Sequence, residues 1–303
     1  MNGKLISLSG FILIGLFLCA ILLCGCTGTT ETEKTVPASA SENPLRETKT
    51  QPGSAGVLTI TGSTTVLPVA AQAAERYMDT HPGVDVQVNG GGSGVGVQSA
   101  GEGTAMIGMA SRDLKKEEKE KYPGLREHQI AIDGIAIITH TSNPVPSLTL
   151  DQVKAIYNGN ITNWKDVGGN DATIVVIGRD SASGTREFFH EKVMNKEDFV
   201  QTQLEKNSNG AVKQSVQQTP AAIGYVGLGY VDKTVHAVPI LVEGKAVAPS
   251  VETVKDKSYP IARPLNFLTN GDPSGLIAEF ISFIESPEGQ QIVIDEGFVP
   301  LSR

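Results

Sequence analysis

Cysteine is nearly absent from this 303-residue chain: Cys19, Cys24 and Cys26 are the three present, all within the first 26 positions. Everything downstream is therefore without disulfides, thiolate nucleophiles or cysteine-based metal sites. The five histidines, His81, His128, His140, His190 and His236, show no paired spacing of the zinc-site kind, so no metal and no cofactor are expected. Aromatic residues make up 5%, with a single tryptophan, too few for stacking platforms that hold bases or sugars. Acidic residues outnumber basic ones 33 to 25, a net charge of −8, so no broad positive field gathers nucleic acid or anionic lipid. Gly-x-Ser-x-Gly elbows, Gly-Lys-Ser/Thr loops and metal-ligand clusters are also missing, which argues against a serine hydrolase or a phosphatase. The chain has no internal repeat.

What is present is a recurring turn. Thr173–Ile177 reads as a buried β-branched strand, and Glu187–Val193 carries helical spacing. Between them lies Gly178-Arg179-Asp180-Ser181-Ala182-Ser183-Gly184-Thr185-Arg186. The first N–H groups of a helix lack intrahelical partners and lie at the positive end of its dipole, a ready anion site. Ser183 and Thr185 add hydroxyl donors, Gly184 admits close backbone approach, and Arg179 offers a planar fork. An ordinary Ser/Thr N-cap beside a solvent-facing arginine would leave the same pattern. The logic recurs, however. Ser63-Thr64-Thr65 stands between an apolar strand and an alanine-rich helix over Val69–Met78, with Pro68 near its start. Gly90-Gly91-Gly92-Ser93-Gly94 follows the strand-like Val84–Val88. Such turns, with no nucleophile–base pair among them, point to binding rather than bond breaking.

These segments resemble those of the phosphate-binding proteins that serve phosphate (Pst-type) ABC importers, a periplasmic-binding-protein-like family. The similarity runs from about Leu58 to Pro300. It is carried, in the family's order, by the Gly-Ser-Thr-Thr-Val turn at Gly62, the Gly-Gly-Gly-Ser-Gly turn, Gly108-Met109-Ala110-Ser111-Arg112, the block Ile156–Trp164, the Gly-Arg-Asp turn at Gly178 and Ala222-Ile223-Gly224-Tyr225-Val226. The resemblance implies an α/β protein of the two-lobed periplasmic-binding-protein type II fold, two doubly wound sheets joined by two crossover strands. One lobe would span 57–139 plus 259–303 and the other 140–258, with the chain crossing at Ile130–Thr139 and Tyr259–Thr269. The final helix is expected over Ser274–Glu285. Alternating strands, helices and short Gly/Pro turns agree with an α/β fold of open, mostly parallel sheets.

The implied function is capture of inorganic phosphate in the interlobe cleft and delivery to an ABC permease with its ATPase subunits, by a monomer without enzymatic activity. The anion's expected contacts are Ser63, Thr64, Thr65, Ser93, Ser183, Gly184 and Thr185, with Arg179 as the charged clamp. One departure bears on selectivity. Phosphate differs from sulfate in carrying a proton, which an acceptor carboxylate rewards. Some family members place an aspartate right after Ala-Ser, where this chain has Ser111 or Arg112, so both enter the candidate set. Asp133, which interrupts an apolar strand, is the next candidate acceptor; a solvent-facing strand aspartate is the alternative. Asp180 could orient Arg179 through a salt bridge. Receptors for sulfate, molybdate or arsenate, or a phosphate sensor docking to a membrane kinase, would share these features.

The N-terminus has Lys4, an uncharged apolar run from Leu5 to Cys24, then Gly25-Cys26. This reads as an export signal over 1–26, and Leu23-Cys24-Gly25-Cys26 resembles a lipobox with Cys26 as the lipidated residue. An uncleaved membrane anchor is the alternative. Either places the body outside the cytoplasm, tethered to the outer face of the membrane. Residues 27–56, rich in Thr, Ser, Glu, Pro and Lys, cannot repay their ordering entropy and read as a disordered tether. Lys115–Lys121 reads as a solvated helix face, and Asn160-Ile161-Thr162 fits the N-glycosylation pattern.

Overall fold

A computed structural model describes residues 56–302; the expected export signal, Cys26 and nearly all of the expected tether lie outside the described residues. The first half begins with strand β1 (Gly56–Gly62), helix α1 (Leu67–Thr80), β2 (Val84–Gly90), α2 (Ser93–Glu102) and β3 (Ile107–Ala110). Pro68 falls in the first turn of α1, where its missing N–H has no intrahelical partner to lose. A short helix α3 (Lys116–Lys121) with no buried residue precedes β4 (Leu125–Thr139), in agreement with its charge alternation.

The second half contains α4 (Leu150–Tyr157), β5 (Val175–Arg179), α5 (Gly184–Lys192), β6 (Leu204–Lys206), α6 (Asn209–Gln218) and β7 (Ala222–Gly227). Three short strands follow, β8 (His236–Val238), β9 (Ile240–Val242) and β10 (Lys245–Val247), then α7 (Val251–Lys255). The chain returns through β11 (Ala262–Asn270) and closes with α8 (Gly275–Glu285) and α9 (Pro287–Asp295). The helix expected over Ser274–Glu285 is thus not the last. Ser286 ends α8 and caps α9, accepting from Gly289 N–H, with Pro287 in the first turn of α9.

The main sheet runs β2-β1-β3-β11-β4-β7-β5-β6, with β8 also on β4. Its flanks are parallel, β2-β1-β3 at one end and β7-β5-β6 at the other. The centre is antiparallel, because β4 and β11 carry the chain outward and back. The sheet is therefore mixed rather than mostly parallel. β4 divides its length between the halves: Leu125–Gly134 pair with β11, whereas Ile135–Thr139 pair with β7. Separate apolar cores back the two halves. One gathers Leu58, Ile60, Ala70, Tyr77, Phe267 and Phe280; the other gathers Ile137, Tyr157, Trp164, Phe189 and Tyr225.

Candidate functional site

Each turn singled out in the sequence links a strand end to a helix start. Ser63, Thr64 and Thr65 follow β1, Ser93 opens α2, Ser111 and Arg112 follow β3, and Ser183-Gly184-Thr185 opens α5. Ser183 is the N-cap of α5, its Oγ accepting from Arg186 N–H at 3.2 Å. The N–H groups of Gly184 and Thr185, ahead of Arg186 in the first turn, are left to point out of the helix end. Beneath this turn the ring of Phe189 stacks on Tyr225 at 4.2 Å, and Arg179 N–H donates to Tyr225 Oη at 3.2 Å. Burial raises the pKa of the Tyr225 hydroxyl well above its ordinary value, so it remains a neutral support for β5.

The turns from the two halves meet. Gly94 N–H donates to Ala182 carbonyl at 3.0 Å, and Thr65 Oγ1 lies 3.2 Å from Thr185 Oγ1. Glycine is required at both seams. Gly92 has φ +96°, and a Cβ there would strike the Ala182 carbonyl; a Cβ on Gly184 would strike Ser93 Oγ. Ser63, Thr64, Thr65, Ser93, Ser111, Ser183 and Thr185 are all buried. A sequence rarely buries so many hydroxyls unless their donors and acceptors are matched.

For Thr64, Thr65 and Ser111 the matching comes from two residues that the sequence did not single out. Arg263 of β11 donates from Nη2 to Thr65 Oγ1 at 3.1 Å and from Nη1 to Ser111 Oγ at 3.2 Å. Asn209, the first residue of α6, donates from Nδ2 to Thr65 Oγ1 at 2.9 Å and Thr64 Oγ1 at 3.2 Å. With two donors on its lone pairs, Thr65 Oγ1 has only its own proton left to offer, so it is committed to donating. Tyr230 Oη–H in turn donates to Thr64 carbonyl at 2.5 Å. Ser208-Asn209 is a further strand-to-helix turn, and its short polar residues before an apolar-spaced helix were a usable signal. Arg263, a lone charge between Ala262 and Pro264 in an apolar strand, was another.

Asp133 is fully buried, and the solvent-facing alternative is excluded. Its Oδ2 accepts from Arg263 Nε and Nη2 at 2.9 and 2.8 Å, and its Oδ1 from Leu228 N–H at 2.8 Å. Burial pushes the carboxyl pKa up and the guanidinium pKa down, each opposed by the partner's charge; with these hydrogen bonds the pair is ionised. Asp133 therefore braces Arg263 rather than standing as an uncommitted acceptor. Arg112 differs again from its expectation. Its guanidinium is bound by Glu118, at 2.8 and 2.7 Å, and pairs with Glu187, so it is not a spare cation for a ligand.

Arg179 is the contrast. It is buried, and its Nε and Nη2 donate to the carbonyls of Lys206 at 3.1 Å and Asn207 at 3.2 Å. Among the described residues it forms no ion pair with a carboxylate. Asp180 does not supply one, and its Oδ1 is buried without a hydrogen-bond partner there. Burial lowers the Arg179 pKa, with Tyr225 and Asp180 opposing, yet guanidinium pKa values start high enough to stay charged. Among the described residues one buried cation thus remains without a carboxylate, on the strand that leads into the α5 helix start where Thr185 meets the committed Thr65 hydroxyl, an arrangement suited to an anion with several oxygens. The surface hollow lined by Ser142, Asn143, Trp164 and Pro220 shares none of these residues.

Comparison with known proteins gives the family. The PBP superfamily domain matches residues 39–288. The chain is 32% identical over 295 residues to the phosphate-binding protein PstS of Bacillus subtilis, covering 96% of this chain and 93% of that one. A phosphate ABC transporter substrate-binding protein from Clostridium perfringens, solved with bound phosphate, shares 45% identity at a TM-score of 0.76, covering 82% of this chain and all of that one (100%). An ABC-type phosphate transport receptor from Vibrio cholerae shares 35% identity at a TM-score of 0.67, covering 80% and 100%. A chain that matches the superfamily domain over most of its length, and PstS over nearly all of it, belongs to the PBP superfamily and, within it, to the PstS family.

Proposed function

We propose that this chain captures inorganic phosphate between the two halves of its sheet and delivers it to an ABC permease and its ATPase subunits. The observation that carries this reading is Arg179, buried without a carboxylate partner among the described residues, at the end of the strand whose following turn brings Thr185 to Thr65, a hydroxyl with both lone pairs already filled. The ligand set we assign is Arg179, Ser63, Thr64, Thr65, Ser93, Ser183, Gly184 and Thr185. Ser111, Arg263, Asn209 and Asp133 form the layer behind it that fixes which way the hydroxyl protons point. Arg112 is left out, because both its faces are held by carboxylates. Hydroxyls that bond one another across the seam would exchange those bonds for phosphate oxygens, so that no buried donor goes unmatched.

The lobes are 57–139 plus 259–303, and 140–258, and their hinge motion about the crossover strands admits and releases the anion. The body works on the outer face of the membrane as a monomer, tethered by lipid on Cys26 or by its N-terminal apolar run. It binds rather than transforms its ligand. Calorimetric titration of the full chain, freed of bound ligand and held in mild detergent, with phosphate, sulfate and molybdate tests the reading. One-to-one phosphate binding without a sulfate response is expected. Binding of sulfate or molybdate in its place would overturn the ligand, and no heat with any of them would overturn the site.

A further inference from the structure

A cluster of four charges crosses from the end of β3 to α5. Arg112 is 6% exposed and binds both oxygens of Glu118 through Nη1 and Nη2. Its Nε faces Glu187, two residues beyond Thr185 on α5, and the other Glu187 oxygen pairs with Lys115. Glu187 itself is 22% exposed. Arg112, Lys115 and Glu118 lie between β3 and β4 in the first half of the sheet, whereas Glu187 rides on α5 in the second. Two cations and two carboxylates leave the cluster neutral, so it does not draw an anion inward. What it does is tie the turn that carries Ser183-Gly184-Thr185 to the turn that carries Ser111.

We propose that Arg112, Lys115 and Glu187 form a closing latch that sets how long phosphate is held; the proposal rests on the phosphate-binding reading above. Arg112 and Glu187 are positioning residues in it and do not touch the ligand. Pairs that form only when the halves meet stabilise the closed state over the open one. They therefore slow release, while capture by the open state proceeds at its own rate. Arg112 is the stronger arm, because its burial shields it from salt, and the half-exposed Lys115 is the weaker.

The test measures phosphate affinity by calorimetry and release by stopped flow, on the full chain in mild detergent, for Glu187→Gln, Arg112→Gln and the double variant. Glu187→Gln is expected to speed release about tenfold with capture changed less than about twofold. The double variant is expected to lose no more than the larger single variant, the signature of one shared interaction. Wild-type affinity is expected to fall more steeply than that of Glu187→Gln between low salt and about 0.5 M salt. Thermal melting of the ligand-free variants checks that they fold. Phosphate binding by the wild type with unchanged release in Glu187→Gln would overturn the latch alone, as would additive losses in the double variant. Absence of phosphate binding by the wild type would overturn the underlying reading and the latch with it.

Discussion

Asp133→Asn puts the support layer to a quantitative test. The wild-type carboxylate is wholly buried and accepts three hydrogen bonds, two from Arg263 and one from Leu228 N–H. Removing one member of a buried ion pair leaves the other uncompensated, at a cost of about 3–5 kcal/mol. Asparagine keeps the shape and one acceptor oxygen, which places the loss near the lower end, about 3 kcal/mol. For a chain of this size each kcal/mol moves the melting temperature by about 2–4 °C. The expected fall is therefore about 6–12 °C in the absence of phosphate. Equilibrium urea unfolding, read by circular dichroism and by the fluorescence of Trp164, gives the free energy directly. Replacing both partners, Asp133→Leu with Arg263→Met, removes the stranded charge, and stability is expected to return to within about 1–2 kcal/mol of wild type. A single-variant loss below about 1 kcal/mol, or a double variant that loses the sum of both singles, would refute the argument that Asp133 exists to hold Arg263.

Arg179→Gln removes the buried cation that has no carboxylate partner among the described residues, and phosphate affinity is expected to fall at least about a hundredfold, since charge-assisted bonds contribute about 1.5–3 kcal/mol each; calorimetry reads it. Gly184→Ala drives a methyl into Ser93 Oγ, so phosphate affinity is expected to drop while the ligand-free melting temperature changes little. Tyr230 has its hydroxyl pKa pushed up to about 12, chiefly by burial, against about 10 in an unfolded chain. The protonated form is favoured by folding, so its contribution is complete below pH about 10 and is lost as pH rises toward about 12. Tyr230→Phe is expected to flatten that part of the alkaline stability profile, measured by urea unfolding at stepped pH.

The turns were legible because their chemistry is local. Gly62-Ser63-Thr64-Thr65, Gly92-Ser93-Gly94 and Ser183-Gly184-Thr185 announce helix starts and donors within a few residues, and the structure brings them together as expected. What escaped reading depends on distant partners. Arg263 meets Asp133 only because β11 pairs with β4, and no local pattern fixes that register. Arg112 looked like a ligand beside Ser111, because nothing nearby in the chain announces Glu187. Asp133 was noticed for interrupting an apolar strand, but its partner could not be named from the strand alone. The mixed sheet escaped for a similar reason: alternation of strands and helices reveals layers, whereas direction depends on where the chain turns back.

The place of β11 in the sheet, between β3 and β4, also has a kinetic consequence. Strands β1 to β4 are synthesised early, yet β3 and β4 have no direct bond and stay apart until residues 262–270 arrive. The half of the molecule that begins first is thus completed last, whereas β5, β6 and β7 can assemble from a contiguous stretch. Closing so long a loop costs chain entropy before any contact repays it, which slows folding. A chain built this way leaves its first half open until its tail has emerged, so the cleft side of the sheet is the last part of the molecule to be fixed.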